Sequence, residues 1–90
     1  MEVKIVYLPR AQADLQYWKK SGNKSIQQRI GKLIQSILDS PFEGIGKPEA
    51  LKYDYTGWWS RRINEDHLLV YRVEEGGIII AQMRFHYSKN

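Results

Sequence analysis

Six aliphatic residues, Ile26, Ile30, Leu33, Ile34, Ile37 and Leu38, recur at positions i, i+4, i+7, i+8, i+11 and i+12. That spacing follows the turn of an α-helix and puts all six on one face, with Lys, Arg and Gln opposite. A helix so striped has to lay its apolar face on another layer. Gly31 inside it costs about 1 kcal/mol relative to alanine, and Asp39-Ser40-Pro41 ends it. Upstream, Ala11, Leu15 and Trp18 mark a first helix, running to about Lys20, with Pro9 at its opening position. Leu8 offers no side-chain acceptor as an N-cap, and Gly22 in Ser21-Gly22-Asn23 supplies the left-handed C-cap. Val3 to Tyr7 reads as a short leading strand.

The two helices form a hairpin, and the second half of the chain supplies the layer under it. Trp58 to Asn64, Leu68 to Glu74 and Ile78 to Tyr87 read as strands, with Glu75-Gly76-Gly77 a tight turn. Alternation assigns Ile79, Ala81, Met83 and Phe85 to the helix side, together with Leu69, Tyr71, Val73, Trp59 and Ile63. Arg62, Leu68, Arg84 and His86 then face the other way. The expected fold is α+β, residues 1–90 as a single domain: a two-helix hairpin packed on a twisted, mainly antiparallel sheet, its open face polar and cationic.

Composition narrows the function. The 90 residues hold 14 Lys and Arg against 10 Asp and Glu, a net charge of +4, and no cysteine. Disulfides, thiolate metal sites and a Cys nucleophile are thereby excluded. No apolar leader opens the chain, and the run Gly76 to Ala81 is far too short to span a membrane, so a cytoplasmic protein is expected. Residues 1–45 hold 7 basic and 4 acidic side chains and residues 46–90 hold 7 and 6, so binding of a polyanion has to come from local clustering.

Residues 41 to 62 provide such a cluster. They contain Gly44, Gly46 and Gly57, Pro41 and Pro48, Trp58 and Trp59, and the cations Lys47, Lys52, Arg61 and Arg62, with Glu49 set between the two lysines. Gly44-Ile45-Gly46-Lys47 lacks the spacing of a phosphate-binding P-loop and precedes Pro48 rather than a helix. Glu49 reads either as a solvated carboxylate or as a proton acceptor. His86 is either a solvated histidine or a group that exchanges a proton near neutral pH. His67, in a turn beside Asp66, reads as a surface residue, and two histidines so far apart do not suggest a metal site. Arg61 and Arg62 point to opposite faces of one strand, so alternation brings Arg62 to Arg84. A carboxylate, an imidazole, two guanidiniums and flanking lysines around one groove are what RNA cleavage without a metal or cofactor requires. The base takes the 2′-hydroxyl proton, the cations hold the phosphate, and the acid protonates the leaving 5′-oxygen. Tyr87 could stack on a base or donate to a phosphate. A basic patch that only binds is the other reading.

Several runs together resemble a family: Pro41-Phe42-Glu43-Gly44-Ile45-Gly46-Lys47-Pro48-Glu49-Ala50-Leu51-Lys52, Gly57-Trp58-Trp59-Ser60-Arg61-Arg62-Ile63, Leu69-Val70-Tyr71, and Arg84-Phe85-His86-Tyr87, with Tyr17-Trp18 in the first helix. The chain is similar over nearly its whole length to the YoeB/Txe toxins of the RelE/ParE toxin–antitoxin superfamily. The resemblance implies a RelE-like fold and a ribosome-dependent mRNA endonuclease working in the decoding site of the small subunit. It also implies a partner antitoxin of the YefM/Axe type, and it allows a homodimer. By the same resemblance Glu49 is the general base and His86 the general acid. Tyr87, Arg62 and Arg84 orient phosphate and nucleotide, and Lys47, Lys52 and Arg61 contact RNA. Two departures stand out. The family's His-Arg-Leu-Val-Tyr is here His67-Leu68-Leu69-Val70-Tyr71, which removes a cation, and Ser88-Lys89-Asn90 follows the terminal Tyr87. A non-catalytic or weakened homologue that only binds RNA, ribosome or antitoxin is the alternative. A gyrase-poisoning relative of the same fold is a third reading, which Glu49 and the His86-Tyr87 ending disfavour.

Overall fold

The expected strand–helix–helix opening is present in a computed structural model that describes residues 3–86. Strand β1 (Lys4–Tyr7) leads into α1 (Pro9–Ser21), with Pro9 in the first turn and Gly22 at φ 72° as the left-handed cap. Helix α2 (Lys24–Asp39) follows at once, and Asn23 Oδ1 caps it by accepting from the Ile26 N–H at 3.1 Å. Four more strands complete the layer: β2 (Glu49–Ala50), β3 (Trp59–Arg62), β4 (Leu68–Glu74) and β5 (Gly77–Gln82). Their order is β1-β5-β4-β3-β2, with β1 parallel to β5 and the other neighbours antiparallel. The α+β expectation of a helical hairpin on a mainly antiparallel sheet holds. The two-residue β2, carrying Glu49, is an edge strand that the punctuated sequence did not announce. Among the described residues no helix is long and apolar enough to cross a membrane.

The main core lies between helices and sheet. Ala11, Trp18, Ile30, Leu33 and Ile37 from the helices meet Ile63, Leu69, Tyr71, Ile78, Ile80 and Met83. Here β5 differs from simple alternation. Its helix-facing residues are Ile78 and Ile80, not Ile79 and Ala81, yet Met83 still faces inward. The register explains this: Tyr71 pairs with Ile80 but the adjacent Val70 pairs with Gln82, so β5 carries one extra residue, Ala81. This β-bulge reverses the phase of the strand at that point. Counting back from Met83 in steps of two therefore puts the earlier residues on the wrong face.

The opposite face is not wholly polar, as had been expected. Leu51, Leu68 and Val70 form a second buried cluster there, with Tyr55, Trp58 and Ala81 against it. The segment between β2 and β3, with its 3₁₀ turn Tyr53–Tyr55, supplies Leu51, Tyr55 and Trp58 to this cluster. Leu68, at the position where the resembling family carries arginine, is 8% exposed in this cluster.

Candidate functional site

Register across the sheet decides which side chains share the open face. Glu49 pairs with Ser60, Ser60 with Val70, and Val70 with Gln82, so these four form one row across β2, β3, β4 and β5. Directly paired residues project to the same side of a sheet. Val70 belongs to the open-face cluster, so Glu49 projects there too, and its side chain is exposed. The next row on that face pairs Arg62 with Leu68, which places Arg62, also exposed, two residues from Ser60. Lys47 and Lys52 flank the carboxylate on either side of β2, both exposed.

Arg61 corrects its sequence-based placement. It had been expected among the RNA-contacting cations, but it is fully buried, on the helix side of β3 between Trp59 and Ile63. Its Nη1 donates to Ser36 Oγ at 2.7 Å and to the Ile45 carbonyl at 3.1 Å. Its Nη2 donates to the carbonyls of Ser40 at 2.7 Å and Glu43 at 2.9 Å. Its Nε donates to the Tyr71 hydroxyl at 3.2 Å, which in turn donates to the Pro41 carbonyl at 2.6 Å. Burial pushes the Tyr71 phenol above its ordinary range, and the bond and charge of Arg61 pull only partly the other way. Its O–H is therefore retained as a donor. Among the described residues no ion pair involves Arg61. Its charge is instead solvated by the carbonyls of residues 40–45, and the guanidinium serves as the centre around which that loop is wound. The signal was in the sequence: alternation from Trp59 and Ile63, both assigned inward, puts Arg61 inward as well.

The loop then hands over to β2. The Arg62 N–H donates to the Gly46 carbonyl at 2.7 Å. Gly46 has φ 84°, and a Cβ there would lie 2.7 Å from Leu33 Cδ2. Glycine is required at this point both for the turn and for the close passage over α2. Phe42 lies against Trp59 with ring centroids 4.8 Å apart and the rings tilted by 41°, which ties the start of the loop to β3.

The C-terminal segment is held by α1. The Met83 N–H donates to Asp14 Oδ2 at 2.9 Å, and Trp18 Nε1 donates to the Met83 carbonyl at 2.8 Å. Arg10 Nη2 donates to the Arg84 carbonyl at 3.1 Å. Arg84, expected beside Arg62 on the open face, lies instead with its guanidinium 3.5 Å from the centroid of the Tyr17 ring of α1 and 4.5 Å from that of Phe85. Two electron-rich faces attract that cation, and its alternation is lost because β5 ends at Gln82. Gln82, buried on the open face, turns the chain by donating from Nε2 to the carbonyls of Arg84 at 3.0 Å and Phe85 at 3.2 Å. The Leu68 N–H reaches the same Phe85 carbonyl at 3.0 Å. Exposed His86 follows directly from this anchor. Tyr87, like Ser88-Lys89-Asn90, lies outside the described residues.

Glu49 and Arg62 thus share the open face, Lys47 and Lys52 flank Glu49 as exposed side chains, and the turn that presents His86 is tied to that face through Gln82 and Leu68. Arg61 and Arg84 are not part of it. Comparison with known proteins agrees with this architecture. The family model described as a YoeB-like toxin of bacterial type II toxin–antitoxin systems matches residues 7–87. Toxin YoeB of Escherichia coli (strain K12) is 42% identical over 85 residues, covering 94% of this chain and 100% of that protein. The YoeB–YefM complex from Staphylococcus aureus superimposes with a TM-score of 0.86 at 42% identity, covering 97% of this chain and 100% of that one. The YoeB dimer from Staphylococcus aureus does so with a TM-score of 0.87 at 41% identity, covering 97% and 100%. The chain belongs to the YoeB-like toxins of bacterial type II toxin–antitoxin systems.

Proposed function

We propose that this toxin is a ribosome-dependent endoribonuclease that cleaves translated mRNA in the decoding site by acid–base catalysis on the open face of the sheet. In this reading Glu49 accepts the 2′-hydroxyl proton and the 2′-oxygen attacks the adjacent phosphorus. A 2′,3′-cyclic phosphate forms, the bond to the 5′-oxygen breaks, and His86 supplies the proton that this oxygen takes. Arg62, with Lys47 and Lys52, meets the phosphate charge as it develops, and Tyr87 orients the nucleotide. The observation that carries the reading is the register row that places Glu49 on the face to which the His86 turn is anchored.

Leu68 favours a second reading, a weakened or purely binding homologue. It contributes packing where the family places a cation, so the phosphate would depend on Arg62 and the lysines. The resemblance's role for Arg84 finds no support in a guanidinium stacked on Tyr17. The proposed partner is a YefM-type antitoxin, because the staphylococcal relative was solved with YefM. A homodimer is proposed on the same footing, and a cytoplasmic site of action follows from a ribosomal target. Expression in bacteria tests the nuclease reading. Glu49→Ala and His86→Ala are each expected to relieve growth arrest while still binding the antitoxin, and full toxicity in both would overturn it. Enhanced toxicity of Leu68→Arg would identify a weakened nuclease.

A further inference from the structure

The turn that presents His86 is built around an uncommon backbone. Phe85 has φ 63°, in the left-handed region that an aromatic residue seldom adopts. Such a conformation persists where neighbouring groups over-determine it. Here both polar backbone atoms of Phe85 are taken. The carbonyl accepts from the Leu68 N–H and from Gln82 Nε2, and the N–H donates to the side chain of His67, at Nδ1, 2.8 Å away. His67 and Leu68 therefore grip one residue from both sides, the first with its imidazole and the second with its backbone.

The imidazole is itself fixed. The Asn64 side chain accepts from the N–H groups of Asp66 at 2.8 Å and His67 at 2.9 Å, and the His67 carbonyl accepts from the Ile63 N–H at 3.0 Å. The ring meets Trp18 edge to face at 4.9 Å between centroids and lies 5.6 Å from the Phe85 ring. Trp18 in turn holds the Met83 carbonyl. With the chain from Met83 to Phe85, these contacts close a circuit from His67 to Phe85, back along the backbone to Met83, and through Trp18 to His67. A backbone N–H can only donate, so Nδ1 must carry a lone pair and the proton of the neutral ring sits on Nε2.

We propose that His67 is a positioning residue for the cleavage reaction: by accepting the Phe85 N–H at Nδ1, it fixes the turn that aims His86. This rests on the reading of His86 as the general acid. His67 touches no reacting atom in this scheme, and its contribution is orientation, which acid catalysis requires to within hydrogen-bonding reach.

Two substitutions separate the acceptor from the ring. In His67→Asn the amide oxygen can take the place of Nδ1 without the ring. His67→Phe keeps the ring against Trp18 without an acceptor. Cleavage of mRNA on programmed ribosomes is expected to fall in kcat on the order of tenfold in His67→Phe, with KM nearly unchanged, and to stay within about threefold of wild type in His67→Asn. The reverse order would show that packing, not the bond, is what His67 supplies, and equal values in the two variants, impaired or not, would also overturn the proposal. Nitrogen NMR of the wild-type protein provides a readout that needs no activity. It is expected to show the Nε2–H tautomer of His67 and a Phe85 amide protected from exchange, and a proton on Nδ1 with a freely exchanging amide would sink the contact. Should the wild-type protein leave ribosome-bound mRNA intact, the nuclease reading fails together with the catalytic role, whereas the NMR result still decides whether the His67–Phe85 bond exists.

Discussion

Replacing Arg61 by methionine tests how the loop that carries Lys47 and Glu49 is held. The substitution conserves much of the side-chain length and removes a charge that is fully buried, so an electrostatic ledger alone would rate it harmless. The hydrogen bonds indicate otherwise. Five acceptors lose a donor: the Ser36 and Tyr71 hydroxyls and the carbonyls of Ser40, Glu43 and Ile45. Glu43 and Ile45 are exposed residues whose carbonyls regain water if the loop lifts slightly, whereas Tyr71 is buried and Ser36 and Ser40 are half-buried. Each of these three groups loses a bond from a charged donor, although Tyr71 still donates to Pro41 and Ser40 still accepts from the Glu43 N–H; at about 1 kcal/mol net each, the loss is about 3 kcal/mol. That is a large part of the ~5–15 kcal/mol by which a small domain is stable. Arg61→Lys retains the charge but cannot reproduce the planar fork, and should recover about half of the loss. Urea denaturation measures the total, and amide exchange locates it. Residues 41–50 should lose protection before β4 and β5 do. A loss below about 1 kcal/mol for Arg61→Met, with exchange in the loop unchanged, would refute the view that Arg61 winds it.

Two further outcomes follow from the same loop. Gly46→Ala must accommodate both φ 84° and a Cβ against Leu33, and should cost about 1–3 kcal/mol in urea melts. Tyr71 gives the alkaline behaviour: its native phenol ionises above the ordinary value near ~10, so the unfolded chain releases this proton first. The stability it contributes is intact below the unfolded value and is lost as pH climbs through the native one. Tyr71→Phe should therefore be less stable at neutral pH and should lose less between mildly and strongly alkaline pH, as read by denaturation at a series of pH values.

The elements whose periodicity is long and uninterrupted were legible in the sequence. The stripe from Ile26 to Leu38 fixes α2 and its buried face, and Gly22 fixes the break before it, because both signals are local. The phase of β5 was not legible, since the extra residue at Ala81 is imposed by pairing with β4 rather than by any residue type. Arg61 was half legible: alternation turned it inward, while its charge and its place in a basic run suggested the opposite. Arg84 does not follow strand alternation because the chain leaves the sheet after Gln82 and Tyr17 of α1 attracts the cation. His67 gave no sign of its bond to Phe85, a contact across 18 residues that depends on the turn at Asn64 and on a left-handed backbone no sequence pattern marks. Glu49 was legible as a candidate from composition and resemblance, but its exposure on the open face came from a two-residue edge strand.

The most direct measurement is the cleavage of a defined mRNA on programmed ribosomes by the purified toxin, compared with Glu49→Gln and His86→Gln at equal antitoxin affinity. A general base and a general acid each contribute about 10²–10⁴-fold. Each variant should therefore slow cleavage by at least the lower of those factors, with wild-type products ending in a 2′,3′-cyclic phosphate and a 5′-hydroxyl. Cleavage at the wild-type rate in both variants, or products ending in a 5′-phosphate, would contradict acid–base chemistry on the open face.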